Sequence, residues 1–120
     1  MINNSINYIE LPMTDNNATK KFYGDVFGWT FTDWGPDYIS FEGANIDGGF
    51  ESATVDGAVQ PRAPGVLVVL YAENLEDKFA AVKTAGGIIA KEIFSFPGGR
   101  RFHFKDPNGN ELAVWTKEDA

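Results

Sequence analysis

The chain has 120 residues, enough for one well-cored domain or two half-domains sharing a core, and too few for two independent domains. Ten basic against seventeen acidic residues give a formal net charge of −7, which opposes binding to phosphate backbones or anionic lipid; neither nucleic acid nor membrane is an expected partner. Cysteine is absent, which removes disulfides, thiolate ligands and a thiol nucleophile, and the longest apolar run, 66–72, falls far short of the roughly 20 residues that cross a bilayer.

No basic segment followed by an apolar one opens the chain, so no signal peptide is expected and the expected location is cytoplasmic. Residues 5–13 alternate as a strand, with Tyr8 and Glu10 on one side and Ile9 and Leu11 on the other. Pro12 marks its end or an edge position. Asp15 suits the N-cap of a helix over 16–27, whose apolar positions are Ala18, Phe22, Tyr23, Val26 and Phe27, with Gly28 as a left-handed stop. Residues 29–34 and 38–42 read as short strands around the turn Gly35-Pro36-Asp37. A third strand over 46–53 carries Gly48-Gly49, the mark of a bulge or of close backbone approach. Gly57, Pro61, Pro64 and Gly65 punctuate a linker, 56–65. The strand at 66–71 is so apolar that both of its faces should be covered. Leu75, Phe79, Val82 and Lys83 then ride a helix ended at Gly86-Gly87, and 88–96 is strand-like, leading to a mobile-looking loop at Pro97-Gly98-Gly99.

The two halves echo each other. Each follows an apolar strand with an acid–amide pair (Asp15-Asn16, then Glu73-Asn74), a helical segment and a glycine (Gly28, then Gly86), at a spacing of about 58 residues. The fold expected is α+β: one domain over 1–120 built from two βαβββ modules, 1–55 and 66–120. Two modules with curved sheets can face one another and enclose a cavity, where small molecules bind.

The last hairpin supplies a register. Strands at 101–105 and 111–116 flank Asp106-Pro107-Asn108-Gly109, which suits a type I turn with a glycine bulge. That turn sets His103 opposite Ala113, Arg101 opposite Trp115 and Lys105 opposite Glu111 on one face. Phe102, Phe104, Leu112 and Val114 fall on the other, which belongs against a helix.

The segments Ile9-Glu10-Leu11-Pro12, Phe22-Tyr23-Gly24-Asp25-Val26-Phe27-Gly28-Trp29, Ala85-Gly86-Gly87 and Phe104-Lys105-Asp106-Pro107-Asn108-Gly109-Asn110 through Trp115 resemble the vicinal oxygen chelate superfamily of glyoxalase I, bleomycin-resistance proteins and extradiol dioxygenases. The resemblance spans essentially the whole chain. It implies paired βαβββ modules forming an open barrel, a homodimer, and, in the metal enzymes, a divalent ion held by four His, Gln or Glu side chains that chelates two adjacent substrate oxygens. Carried onto this chain, those four positions fall at Tyr8, Leu67, Ala113 and near Gly49 to Glu51. Leucine and alanine offer no donor, so no metal or other cofactor is expected.

The only histidine, His103, is a candidate acid/base group beside Ala113, or a hydrogen-bonded strand histidine with no duty. Glu10 either pairs with Arg101 or a lysine, or meets a ligand as a second catalytic candidate. Arg101 either clamps an anion or is solvated or salt-bridged. Tyr8, Leu67, Tyr71, Arg101, Ala113, Trp115 and Glu51 are the candidate ligand-binding residues. The function expected is metal-independent binding of a small organic molecule in the cavity. The rivals are a lyase, isomerase or dioxygenase-like enzyme with a rearranged site, whose enzymatic character stays open, and an interaction module whose cavity is filled by its own side chains.

Overall fold

The computed structural model describes residues 2–52, 54–55, 58–59 and 65–119. The chain divides into two compact units, residues 1–60 and 61–120. The first contains β1 (Tyr8–Met13), α1 (Asn16–Phe27), β2 (Thr30–Asp33), β3 (Tyr38–Glu42) and β4 (Asp47–Ser52), then the short ladder of β5 (Thr54–Val55) with β6 (Ala58–Val59). The second contains β7 (Val68–Tyr71), α2 (Leu75–Thr84), β8 (Ile88–Phe96), β9 (Gly99–Lys105) and β10 (Glu111–Lys117). The linker expected over 56–65 falls largely outside the described residues, and β6 occupies two of the positions within it that are described.

Both units have the same topology. The four-stranded sheets run β1-β4-β3-β2 and β7-β10-β9-β8, each with a parallel pair (β1 with β4, β7 with β10) and antiparallel hairpins elsewhere. The duplicated βαβββ pattern is therefore real at the level of pairing, not only of spacing.

Local chemistry accounts for the helices. Asp15 caps α1 by accepting from the Ala18 amide, and Gly28 ends it in the left-handed region at φ 73°. Asn74 caps α2 through the Asp77 amide, Glu76 and Asp77 occupy its first turn and Lys83 its last, as the helix dipole favours. Asp15 opens its acid–amide pair while Asn74 closes its own, so the two repeats are offset by one residue at the cap.

Each helix covers one sheet face. Tyr23 of α1 is fully buried, stacks on Trp29 at 4.9 Å and lies 5.0 Å from Phe50, while Trp29 stacks on Phe41 at 4.6 Å. In the second unit Phe79 of α2 meets Phe102 edge-on at 5.1 Å, and Phe102, Phe104, Leu112 and Val114 are fully buried. The remaining face of each sheet carries no helix, and there the candidate residues stand.

One open alternative is decided and two expectations change. Gly48-Gly49 forms no bulge, because β4 keeps an unbroken register with both neighbours. The glycines are required by close approach instead: a Cβ on Gly48 would strike the Phe41 ring and the Ile9 carbonyl, and one on Gly49 would strike the Tyr38 hydroxyl and lie 2.7 Å from the Ile39 carbonyl oxygen. The strand expected at 66–71 is not covered on both faces, since Val69 and Tyr71 remain 42% and 44% exposed; its apolar character reflects one half-buried face and one partly open apolar face. Pro97-Gly98 is a tight turn rather than an open loop, with Gly99 already paired to Phe96 and buried in β9.

Replacing Gly48 by Ala is expected to destabilise the fold by about 1–3 kcal/mol, as overpacking does. Gly24→Ala, inside α1 with its nearest obstacle at 3.6 Å, is expected to stabilise by about 0.5–1 kcal/mol. Urea or guanidinium midpoints at unchanged m-value check both.

Candidate functional site

The helix-free face of the second unit is set by one turn. Asp106, only 4% exposed, accepts from the Asn108 amide at 2.9 Å and the Asn110 amide at 2.8 Å, and Gly109 closes the turn at φ 91°. The resulting register pairs Glu111 with Lys105, Ala113 with His103 and Trp115 with Arg101, as the turn type implied. On the other side of β10, Val69 lies beside Ala113 and Tyr71 beside Trp115, while Leu67 precedes β7 and lies outside its register.

On this face Tyr71 and Trp115 meet edge-on at 5.1 Å, and Phe96 lies 6.2 Å from Trp115. The Arg101 guanidinium stands over the rings of Phe94 and Phe96 at 5.3 and 5.6 Å. Among the described residues no carboxylate pairs with Arg101, and its Nε is buried without a hydrogen-bond partner. His103 is 4% exposed. Its Nδ1 lies 2.9 Å from Glu111 Oε2, and its Nε2 is buried and unpartnered. Because a carboxylate only accepts, Nδ1 carries the proton of that bond. Arg100 points elsewhere: it binds Glu76 of α2 through both of its terminal nitrogens, Nη2 at 3.3 Å from Oε1, and that hydrogen bond lowers the Glu76 carboxyl from its usual range.

The helix-free face of the first unit is polar. Tyr38 donates to Glu10 Oε2 at 3.0 Å, so its single proton is committed and the Tyr8 hydroxyl must be the donor in the Tyr8–Tyr38 bond. Among the described residues Glu10 is therefore held by Tyr38 rather than by a cation. Tyr38 on β3 reaches it on β1 by crossing β4 at Gly49, whose missing side chain leaves the path clear. Glu51 sits directly opposite Tyr38, and Glu42 and Asp47 fall on the same face, with no lysine or arginine among these sheet positions. A depression of about 510 Å³ lined by Ile6, Asn7, Glu42, Gly43, Asn45, Ile46 and Asp47 lies at one end of this sheet and contains none of the residues singled out from the sequence.

Comparison with known proteins decides the family. The profile of the Glyoxalase/Bleomycin resistance protein/Dioxygenase superfamily matches residues 5–114. The chain belongs to this superfamily. Two curated relatives are the putative glyoxylase CFP32 of Mycobacterium bovis, 26% identical over 91% of this chain and 44% of that protein, and the anthracycline biosynthesis protein DauV of Streptomyces sp. (strain C5), 30% identical over 92% of this chain and 46% of that protein. The chain thus spans just under half the length of these relatives. Among solved structures, the fosfomycin resistance protein FosX of Listeria monocytogenes superposes with a TM-score of 0.78 at 18% identity, covering 97% of this chain and 94% of that one, a likeness of fold.

The residues present do not fit the superfamily's four-ligand ion. Leu67 and Ala113 have no donor atoms, Tyr8 has its proton committed to Tyr38, and no group of three or more His, Cys, Asp or Glu gathers among the described residues.

The structure brings His103, Arg101, Trp115, Tyr71 and Ala113 onto one sheet face, and Tyr8, Glu10 and Glu51 onto another. Sequence reasoning left four participants off the site: Tyr38, Glu111, Phe94 and Phe96. Glu111 was legible as the diagonal neighbour of His103 once the hairpin register was set. Phe94 and Phe96 were not, because two register shifts in β8, at Ile89/Lys91 and Lys91/Phe94, scramble its two-residue alternation.

Burial first, then the bonds to Tyr8 and Glu10, hold the Tyr38 phenol well above its ordinary value near 10. A raised folded-state value stabilises the fold fully below about pH 10 and loses that contribution as pH climbs through the folded titration. Tyr38→Phe is therefore expected to flatten the alkaline fall in stability, which denaturant midpoints measured from pH 8 upward would show.

Proposed function

We propose that this superfamily member binds a small organic molecule on the helix-free face of its second sheet, without a metal ion at Leu67 and Ala113. The observation that carries this reading is the aromatic pair Tyr71–Trp115, with Tyr71 and Val69 left substantially exposed on a face lacking a helix. Soluble domains seldom leave such surface unused, and flat apolar rings are what it would cover. Arg101 and His103 supply the polar contacts there, and Ala113 and Leu67 keep the floor apolar. Tyr8, Glu10 and Glu51 are the proposed polar set on the first unit. The relatives support the class of ligand, since their names refer to glyoxylase activity, anthracycline biosynthesis and fosfomycin resistance.

A second reading, a lyase or isomerase using acid/base chemistry, is favoured by one contact: a carboxylate on Nδ1 orients His103 and leaves Nε2 as the proton-transferring atom. Turnover of methylglyoxal hemithioacetal or a catechol, with and without divalent ions, abolished by His103→Asn, is the result it requires. The edge strands β2 and β8 and the acidic, cysteine-free composition support a cytoplasmic homodimer, which light scattering of the purified chain tests.

Planar aromatic compounds are expected to quench the intrinsic tryptophan fluorescence saturably. Trp115→Phe should remove most of the quenching, and Tyr71→Ala should weaken binding by about tenfold, near 1.4 kcal/mol. Affinity should survive treatment with a chelator; loss on chelation and recovery with added zinc or manganese would overturn the metal-independent reading.

A further inference from the structure

We propose that Arg101 and His103 together receive the carboxylate of a flat aromatic acid whose ring rests against Tyr71 and Trp115. This deepens the reading of the second unit's open face as a small-molecule site and rests on it.

The two residues sit at alternate positions of β9, so their side chains leave the sheet on the same side. Each has a buried nitrogen with no partner, Arg101 Nε and His103 Nε2. A native fold rarely leaves one such atom orphaned, and two on one face call for a common acceptor. Among the described residues no carboxylate draws the guanidinium; Phe94 and Phe96 hold it by their ring faces, and its Nε stays without a partner.

Proton accounting selects the ligand. Arg101 Nε is always a donor. His103 Nδ1 is committed to Glu111, so Nε2 donates once the ring takes a second proton, either from solvent or with the ligand in its acid form. Glu111 compensates the imidazolium, and Arg101, with Lys105 opposite Glu111 on the same face, leaves the face positive toward an anion. A carboxylate offers two oxygens to the two nitrogens. Trp115, directly across β10 from Arg101, and Tyr71 beside it define where the ring of such an acid lies.

The test compares 2-naphthoate with the isosteric, uncharged 2-naphthamide by calorimetric titration of the full chain at neutral pH. Naphthoate is expected to bind at least about tenfold more tightly. Arg101→Gln and His103→Asn, the latter keeping a donor for Glu111 but deleting Nε2, should each bring the two probes to within about twofold of one another. Equal affinities in the wild type overturn carboxylate recognition and leave the aromatic site standing, and so does a preference that survives in both variants. Binding of neither probe removes the aromatic site itself. Should a variant fail to fold by circular dichroism, the wild-type comparison still decides.

Discussion

The carboxylate of Asp106 is the constraint on which the second unit depends. By accepting two amides of its own turn it fixes a three-residue connection, and that connection fixes which residues of β9 and β10 share a side. A slip of one residue would drive Arg101 and His103 against α2 and send Phe102 and Phe104 outward. Burying an unpaired guanidinium costs several kcal/mol, and exposing two phenylalanines forfeits roughly 1.5–3 kcal/mol each. Turn chemistry and hydrophobic pattern therefore demand the same register, and either alone would favour it.

One topology serves two chemistries. The sheets share strand order and pairing sense, yet the helix-free face of the first is built from hydroxyls and carboxylates, while that of the second combines aromatic rings with Arg101, His103 and Lys105. The helix-covered faces have stayed alike, each an aromatic-rich layer under an amphipathic helix. Packing constrains that side of both repeats and leaves the other free to diverge while the fold is kept.

The architecture was legible because its signals are local. Helix caps at Asp15 and Asn74, the left-handed stop at Gly28 and the turn at Asp106 each act through atoms a few residues apart. The face of β9 and β10 followed from that turn. What stayed hidden depends on distant partners. Nothing near Gly49 in sequence says that a tyrosine from β3 will lie across it to reach Glu10, and the side of β8 that carries Phe94 is set by irregular pairing with β9. The exposure of Val69 and Tyr71 was missed for a similar reason: an apolar strand looks the same whether its second face is covered by protein or reserved for something else.

The contact between Gly49 and Tyr38 also constrains how the chain can drift over evolutionary time. Since any side chain on β4 at that point would occupy the space of the phenol, the two positions cannot vary independently. Alanine at 49 would displace the Tyr38 phenol, and with it the bridge that tethers Glu10, as well as pressing on the Ile39 carbonyl. Glycine and tyrosine should therefore be inherited as a pair, making their co-occurrence a marker for relatives that retain the linked Tyr8, Tyr38 and Glu10 arrangement.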